Sequence, residues 1–69
     1  MFTPSEISIL VEQANNLSYA MDKLADEDEA LFEGIAYKLL DNGFHTIVNF
    51  LNKEKGSDWL VDNVHYPIG

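Results

Sequence analysis

Apolar residues recur in alternating steps of three and four through the first part of the chain, and this spacing constrains the fold more than any other feature. The repeat consists of Ile7, Leu10, Ala14, Leu17, Met21 and Leu24. Such a heptad pattern places all its apolar side chains on one face of an α-helix. Thr3, Pro4 and Glu6 precede it as an N-cap, a first helical residue and the partner in a capping box. We therefore predict one long helix over residues 4–24.

An uninterrupted run of acidic residues at 26–29 follows this helix. The helix dipole stabilises negative charge at a helix N-terminus, so the run favours the start of a helix over the end of one. We expect a tight turn near Ala25 and a second helix over residues 27–41. Asn42-Gly43 is typical of a left-handed C-cap, which predicts that a third helix occupies residues 44–54.

The end of the chain predicts a short helical turn over residues 58–63, followed by an extended tail over residues 65–69. Pro67 disfavours helical backbone at the residue before it, which supports the tail. Residues 1–69 then form a single all-α domain, a small bundle of three helices with a short C-terminal helical turn. A chain this small buries a thin core, which raises the expectation of a homodimer, and helices one and two would form its contact.

The predicted second helix carries more apolar residues than one buried face requires. They are Leu31, Phe32, Ile35, Ala36, Leu39 and Leu40, and they span about 180° of the helix surface at 100° per residue, where about 100° suffices for a surface helix. Either this helix lies between two others, or it leaves apolar area for a partner.

Twelve acidic residues against four lysines give a net charge of −8, and the chain has no arginine. Nucleic acid and anionic membrane surfaces are bound mainly through lysine and arginine, so direct binding of either is disfavoured. Attraction to a basic protein surface is favoured. No segment predicts a signal peptide or a membrane span, and a cytoplasmic location follows as an expectation.

The densest charged feature is the acidic run together with one further glutamate, namely Asp26, Glu27, Asp28, Glu29 and Glu33. The simpler interpretation is a solvated helix start. The functional interpretation is a partner-binding face, in which Asp26, Glu29 and Glu33 form a row along one helical face and imitate nucleic-acid phosphates. Tyr19, Tyr37 and Phe50 lie off the core stripes and are the expected apolar anchors, since aromatic side chains are favoured at binding hot spots.

No pattern indicates catalysis, a metal or a cofactor. The chain lacks cysteine. Its two histidines, His45 and His65, lack the paired spacing of a zinc helix. Asp41 precedes His45 by four residues, but we expect Gly43 to interrupt the helical register between them. We therefore predict that the chain is not an enzyme and binds neither metal nor cofactor.

The sequence favours a small acidic protein-protein interaction module, a regulator or inhibitor that docks on a basic surface of a partner protein. In a narrower form of this hypothesis, the chain mimics nucleic acid and blocks a protein that binds nucleic acid. The alternative is a self-assembling structural helical unit whose acidity only maintains solubility.

Overall fold

A computed structural model describes residues 1–67, and every regular element in that range is helical. Helix α1 covers Pro4–Glu27, a 3₁₀ helix covers Glu29–Glu33, α2 covers Ile35–Lys55 and α3 covers Ser57–Asn63. The all-α class predicted from the sequence is confirmed. Residues 65–67 have no regular secondary structure, while Ile68 and Gly69, which the sequence analysis places in the extended tail, lie outside the described residues.

Helix α1 begins as the capping-box pattern predicts. The backbone N–H of Glu6 donates to Thr3 Oγ1 at 3.1 Å, and the backbone N–H of Thr3 donates to Glu6 Oε1 at 2.8 Å. Every residue of the heptad repeat is buried or half-buried. Ile7, Ala14 and Met21 belong to the buried core. The apolar stripe of α1 therefore faces inward along its whole length.

The turn expected near Ala25 is wrong, because α1 continues to Glu27. Leu24 and Ala25 are half-buried, and their burial holds this last turn in the helix. The chain then extends at Asp28, where φ is −164° and ψ is 124°. Asp28 Oδ1 accepts the backbone N–H of Ala30 at 3.0 Å, so this aspartate caps the 3₁₀ helix that follows.

The predicted division into helices 27–41 and 44–54 is also wrong. Residues 29–33 form the 3₁₀ helix, and α2 then runs without a break through Asn42-Gly43. The physical reason is an inward stripe that keeps helical spacing across the expected break. It consists of Tyr37, Leu40, Phe44, Val48 and Leu51, all buried or half-buried. A turn at Gly43 would rotate half of this stripe away from the core, and tertiary burial outweighs the local Asn-Gly signal.

Gly56 separates α2 from α3 and adopts a φ of 90°, in the left-handed region where glycine carries no steric penalty. The α3 bounds agree with the predicted 58–63 to within one residue. Leu60 and Val64 are buried and Trp59 is half-buried against the core. The residues around Trp59 and Leu60 thus close the bundle.

Helices α1 and α2 pack as an antiparallel hairpin. The rings of Phe2 and Phe50 lie 6.3 Å apart at one end, and further along α1 Leu17 lies against Gly43. The molecule measures 38 × 19 × 16 Å. Among residues 1–67, no helix is both long enough and apolar enough to cross a membrane.

Candidate interaction site

The acidic segment is defined here as Asp26, Glu27, Asp28, Glu29 and Glu33. It lies where α1 ends and the 3₁₀ helix begins, and all five side chains are exposed. These are five of the twelve acidic residues in the chain, and no basic residue occurs between Lys23 and Lys38. Negative charge is therefore concentrated at one end of the molecule, and we refer to this end as the acidic end.

The regular row expected for Asp26, Glu29 and Glu33 does not form. Asp26 belongs to α1, whereas Glu29 and Glu33 belong to the 3₁₀ helix beyond the extended residue Asp28. In a 3₁₀ helix residues three apart eclipse each other, so Glu29 and Glu33, four apart, point about 120° away from each other. The carboxylates therefore form a cluster around the helix junction without the even spacing of a phosphate backbone.

Asp26 and Glu27 occupy the last turn of α1, which contains no basic residue. The C-terminal end of a helix carries partial negative charge, so each carboxylate there is expected to cost about 0.3–1 kcal/mol at low ionic strength. The sequence favours a stabilising helix start as the explanation of the acidic run. For Asp26 and Glu27 that explanation is wrong, because they lie at the helix end where their charge is unfavourable.

Exposed apolar side chains begin two residues after the acidic segment. Ile35 is 77% exposed and Leu39 is 66% exposed, one helical turn apart on the outer face of α2. The sequence permits two explanations for the surplus of apolar residues in this region. Leu31, Phe32 and Leu40 turn inward while Ile35 and Leu39 stay exposed, so the surplus is exposed apolar area and the helix does not lie between two others.

Tyr19 lies seven residues before Asp26, about 10 Å along α1 and within about 20° of the same direction around the helix. It is exposed, and its ring stacks on the imidazole of His65 with centroids 4.6 Å apart and planes 17° apart. This contact restricts the tyrosine ring on one face. The predicted anchor Tyr19 is thus a partly immobilised aromatic side chain on the side of α1 that carries Asp26.

His65 is in turn fixed by two hydrogen bonds to α1. Its Nε2 lies 2.8 Å from Asp22 Oδ2, and its backbone N–H donates to Asn15 Oδ1 at 2.8 Å. Tyr66, next in the chain, packs edge-on against the buried Phe44 at 5.5 Å. The C-terminal segment is thereby attached to one side of the hairpin.

Tyr37 is half-buried and packs edge-on against Phe32 at 5.2 Å. Burial raises the pKa of its phenol above the usual 10.0, and the carboxylates of Asp41 and Asp22 raise this pKa further. The phenol therefore stays protonated and remains a hydrogen-bond donor over the physiological pH range. Tyr37 lies next to the acidic end, but much of its side chain packs against the core.

Phe50 is half-exposed and lies fifteen residues after Ile35 on α2, about 22 Å away along the helix axis. Its ring contacts Phe2, and Lys53 Nζ lies 5.5 Å from its centroid. The structure therefore does not bring Phe50 together with the acidic segment. Of the three predicted aromatic anchors, only Tyr19 and Tyr37 lie near the acidic end.

The two histidines both pair with aspartates. His45 Nε2 lies 3.1 Å from Asp41 Oδ1, so the expected interruption of the register at Gly43 is wrong. This pair is exposed, whereas the His65–Asp22 pair is largely screened from solvent. Within residues 1–67, no three histidine or carboxylate side chains are grouped so that they could hold a metal ion.

The sequence matches no protein-family profile, and no curated protein or solved structure shows significant similarity to it.

The sequence places Ile35 and Leu39 in the surplus apolar arc but does not single them out as site residues, and it gives no sign of the attachment of the C-terminal segment. Nothing local could reveal the His65–Asp22 pair, because 43 residues separate the two.

Proposed function

We propose that the chain is a small acidic protein-protein interaction module that docks its acidic end on a basic surface of a partner protein. The observation that carries the proposal is the position of Asp26 and Glu27 in the last turn of α1. Helix stability disfavours carboxylates there, so the stability of the fold does not account for them. Residues that break a local rule without a structural gain are expected at functional sites.

The neighbouring surface supports the same proposal. Opposite charge speeds the encounter of two proteins, but affinity comes mainly from apolar and aromatic side chains that become buried. Ile35 and Leu39 supply exposed apolar area beside the acidic segment, and Tyr19 supplies an aromatic ring already held by His65. An anchor that is ordered before binding loses less entropy when the complex forms.

Regulation or inhibition of a partner is the mode of action that fits such a module, and we assign the chain no reaction. Mimicry of nucleic acid is a narrower form of the proposal. The irregular spacing of the acidic cluster favours the general form, in which the partner presents lysine and arginine but need not bind nucleic acid.

The test compares two variants that each lose two negative charges. Glu29→Gln with Glu33→Gln alters the acidic segment, whereas Glu12→Gln with Asp62→Asn alters exposed carboxylates elsewhere. The immobilised wild-type chain is first used to capture partners from nuclease-treated lysate, which are identified by mass spectrometry. The affinity of the purified partner is then measured for all three chains at low and high salt.

We expect the first variant to bind at least tenfold more weakly and the second to bind like the wild type, with wild-type affinity falling steeply with salt. A partner that binds the first variant as tightly as the wild type contradicts the proposal. Displacement of the chain by a nucleic-acid duplex would support the mimic form, and its absence would support the general form.

A further inference from the structure

We propose that Tyr19 and Asp22 form a binding site for a guanidinium group, and that an arginine of the partner protein displaces the His65 side chain from it. The inference rests on the proposed function for the basic character of the partner, and it adds one defined contact beside the acidic segment. His65 is then the occupant of the site while the chain is unbound.

The site consists of an aromatic face and a carboxylate on one turn of α1. Tyr19 and Asp22 are three residues apart, so their side chains project from the same side of the helix. The imidazole of His65 lies nearly parallel to the Tyr19 ring, with centroids 4.6 Å apart, while its Nε2 is 2.8 Å from Asp22 Oδ2. A planar nitrogen-containing group thus already uses both parts of the site at once.

The parallel stacking at Tyr19 differs from the other ring contacts described in residues 1–67. Those meet edge-on, with interplanar angles between 64° and 83°, whereas the planes of Tyr19 and His65 differ by 17°. His45 is an instructive contrast, because it also pairs with an aspartate but meets the ring of Phe44 at 71°. Stacking on an aromatic ring with N–H groups directed at a carboxylate is an arrangement suited to a guanidinium.

A guanidinium fits this site better than the imidazole that occupies it. The ionised carboxylate of Asp22 accepts two hydrogen bonds side by side, and a guanidinium donates two in a matching fork, whereas imidazole directs one N–H at it. Guanidinium is always positively charged, while imidazole is charged only when protonated. The chain contains no arginine, so none of its 69 residues can supply this group.

The imidazole can leave the site without detachment of the C-terminal segment. The His65 side chain is 34% exposed, and the backbone N–H of the same residue donates to Asn15. Tyr66 separately holds the segment by packing against Phe44. Rotation of one side chain therefore opens the site. The Tyr19 ring passes from one stacked group to another, so it remains ordered in the complex.

The surroundings favour an arginine on a protein surface over a free small molecule. Tyr19 is 57% exposed, so the site is shallow and buries little of a small ligand. Asp26 and Glu27 follow on the same helix, and together with Asp22 they outnumber the exposed Lys23 between them. A basic protein surface can engage these carboxylates while it places an arginine on Tyr19, which a single guanidinium cannot do.

The first test uses methylguanidinium as the probe and methylammonium as a non-planar cation of equal charge, with the Tyr19 ring followed by NMR. His65→Ala removes the occupant, so this variant should bind methylguanidinium about tenfold more tightly than the wild type does. His45→Ala is the matched control and should bind like the wild type, because it breaks only the exposed pair with Asp41. Circular dichroism establishes that each variant remains helical. Equal binding of the two cations by His65→Ala, or equal binding of methylguanidinium by the two histidine variants, overturns the proposal.

The second test removes each part of the site in the His65→Ala chain. Tyr19→Leu should weaken methylguanidinium binding about threefold to fivefold, and Asp22→Asn should weaken it about tenfold. Phe50→Leu and Glu12→Gln are the controls, since they alter an exposed ring and an exposed carboxylate elsewhere. Controls that weaken binding as much as the site variants would mean that overall charge holds the probe, which overturns the site.

The third test compares a tetra-arginine peptide with a tetralysine peptide of equal charge. The wild type should bind the arginine peptide about fivefold more tightly, and Tyr19→Leu should remove this preference. Glu29→Gln with Glu33→Gln should weaken both peptides equally, because these glutamates belong to the acidic segment and not to the guanidinium site.

The peptide results separate this inference from the proposed function. Equal binding of both peptides by the wild type overturns the guanidinium site and leaves the proposed function standing. Binding of neither peptide contradicts the proposed function, while the methylguanidinium measurements still decide the site. Free arginine that binds as tightly as the arginine peptide would make a small molecule the ligand and overturn the assignment to a partner protein.

Discussion

The imidazole Nε2 of His65 lies 2.8 Å from the carboxylate Oδ2 of Asp22, which makes this pair the most shielded contact between charged or titratable side chains described in residues 1–67. It joins the C-terminal segment to α1 and holds the ring on which Tyr19 stacks. The pair therefore supports both the fold and the predicted anchor near the acidic end.

We expect His65→Ala to lower the free energy of unfolding by about 1 kcal/mol, because it removes a hydrogen bond to a charged group together with a ring contact. The matched control is His45→Ala, which breaks an exposed pair on one helix and should cost only about 0.3–0.5 kcal/mol. Urea unfolding of both variants measures the difference. Equal effects of the two substitutions would contradict the structural role assigned to His65.

Neutralising the end of α1 should stabilise the protein. Asp26→Asn and Glu27→Gln each remove a carboxylate from the negative end of the helix dipole, so each should raise the free energy of unfolding by about 0.3–1 kcal/mol at low salt. The gain should shrink in high salt, which screens the dipole. Glu29→Gln is the control, since Glu29 begins the 3₁₀ helix, and it should give no gain. Loss of stability on neutralising Asp26 would remove the main support for the proposed function.

Ser18 is fully buried, and its Oγ has no hydrogen-bond partner among the described residues. A buried hydroxyl without a partner costs about 1–3 kcal/mol of desolvation, and alanine also has the higher helix propensity. We therefore expect Ser18→Ala to raise the free energy of unfolding by about 1 kcal/mol. The exposed Ser8→Ala measures the propensity contribution alone in the same unfolding experiment. If both variants gain equally, Ser18 carries no desolvation penalty.

The start of α1 should respond to pH. The backbone N–H of Thr3, and then its hydroxyl, hold the pKa of the Glu6 carboxyl below its usual 4.5. A lowered carboxyl pKa means that the folded state binds the proton more weakly than the unfolded state does, so this stabilisation is present above pH 4.5 and is lost as pH falls through the folded pKa. Thr3→Ala should cost about 1 kcal/mol at pH 7 and less at pH 3. NMR titration of Glu6 should show its pKa rising towards 4.5 in that variant.

Two glycines test the continuity of α2. Gly43 lies inside the helix, so Gly43→Ala should stabilise the protein by about 0.5–1 kcal/mol; the added Cβ would lie 3.3 Å from Leu17 Cδ1, the end of a flexible side chain that can shift. Gly56→Ala should destabilise it, because φ is 90° there. Thermal unfolding distinguishes the two. Destabilisation by Gly43→Ala would favour the break that the sequence alone indicates.

The features that the sequence predicted correctly are those that depend on the spacing of neighbouring residues. The capping box at Thr3 and the heptad stripe of α1 follow from neighbouring residues, and the structure contains both. The break at Asn42-Gly43 was wrong because burial against α1 outweighs a turn preference. The acidic segment was correctly expected to be exposed, but the helix that it was thought to start ends within it instead. Contacts between distant residues, such as His65 with Asp22, have no local signal.

Because α2 is unbroken, it fixes the geometry that any partner contacting both of its ends must match. A regular helix holds the distance between Ile35 and Phe50 at about 22 Å and fixes their relative direction, since residues turn by 100° each. Inserting one residue between them would rotate one side chain by about 100° relative to the other. Inserting seven residues would nearly restore their relative direction and would increase the distance between them by about 10 Å. A partner protein that contacts both Ile35 and Phe50 must therefore have its two contact sites about 22 Å apart.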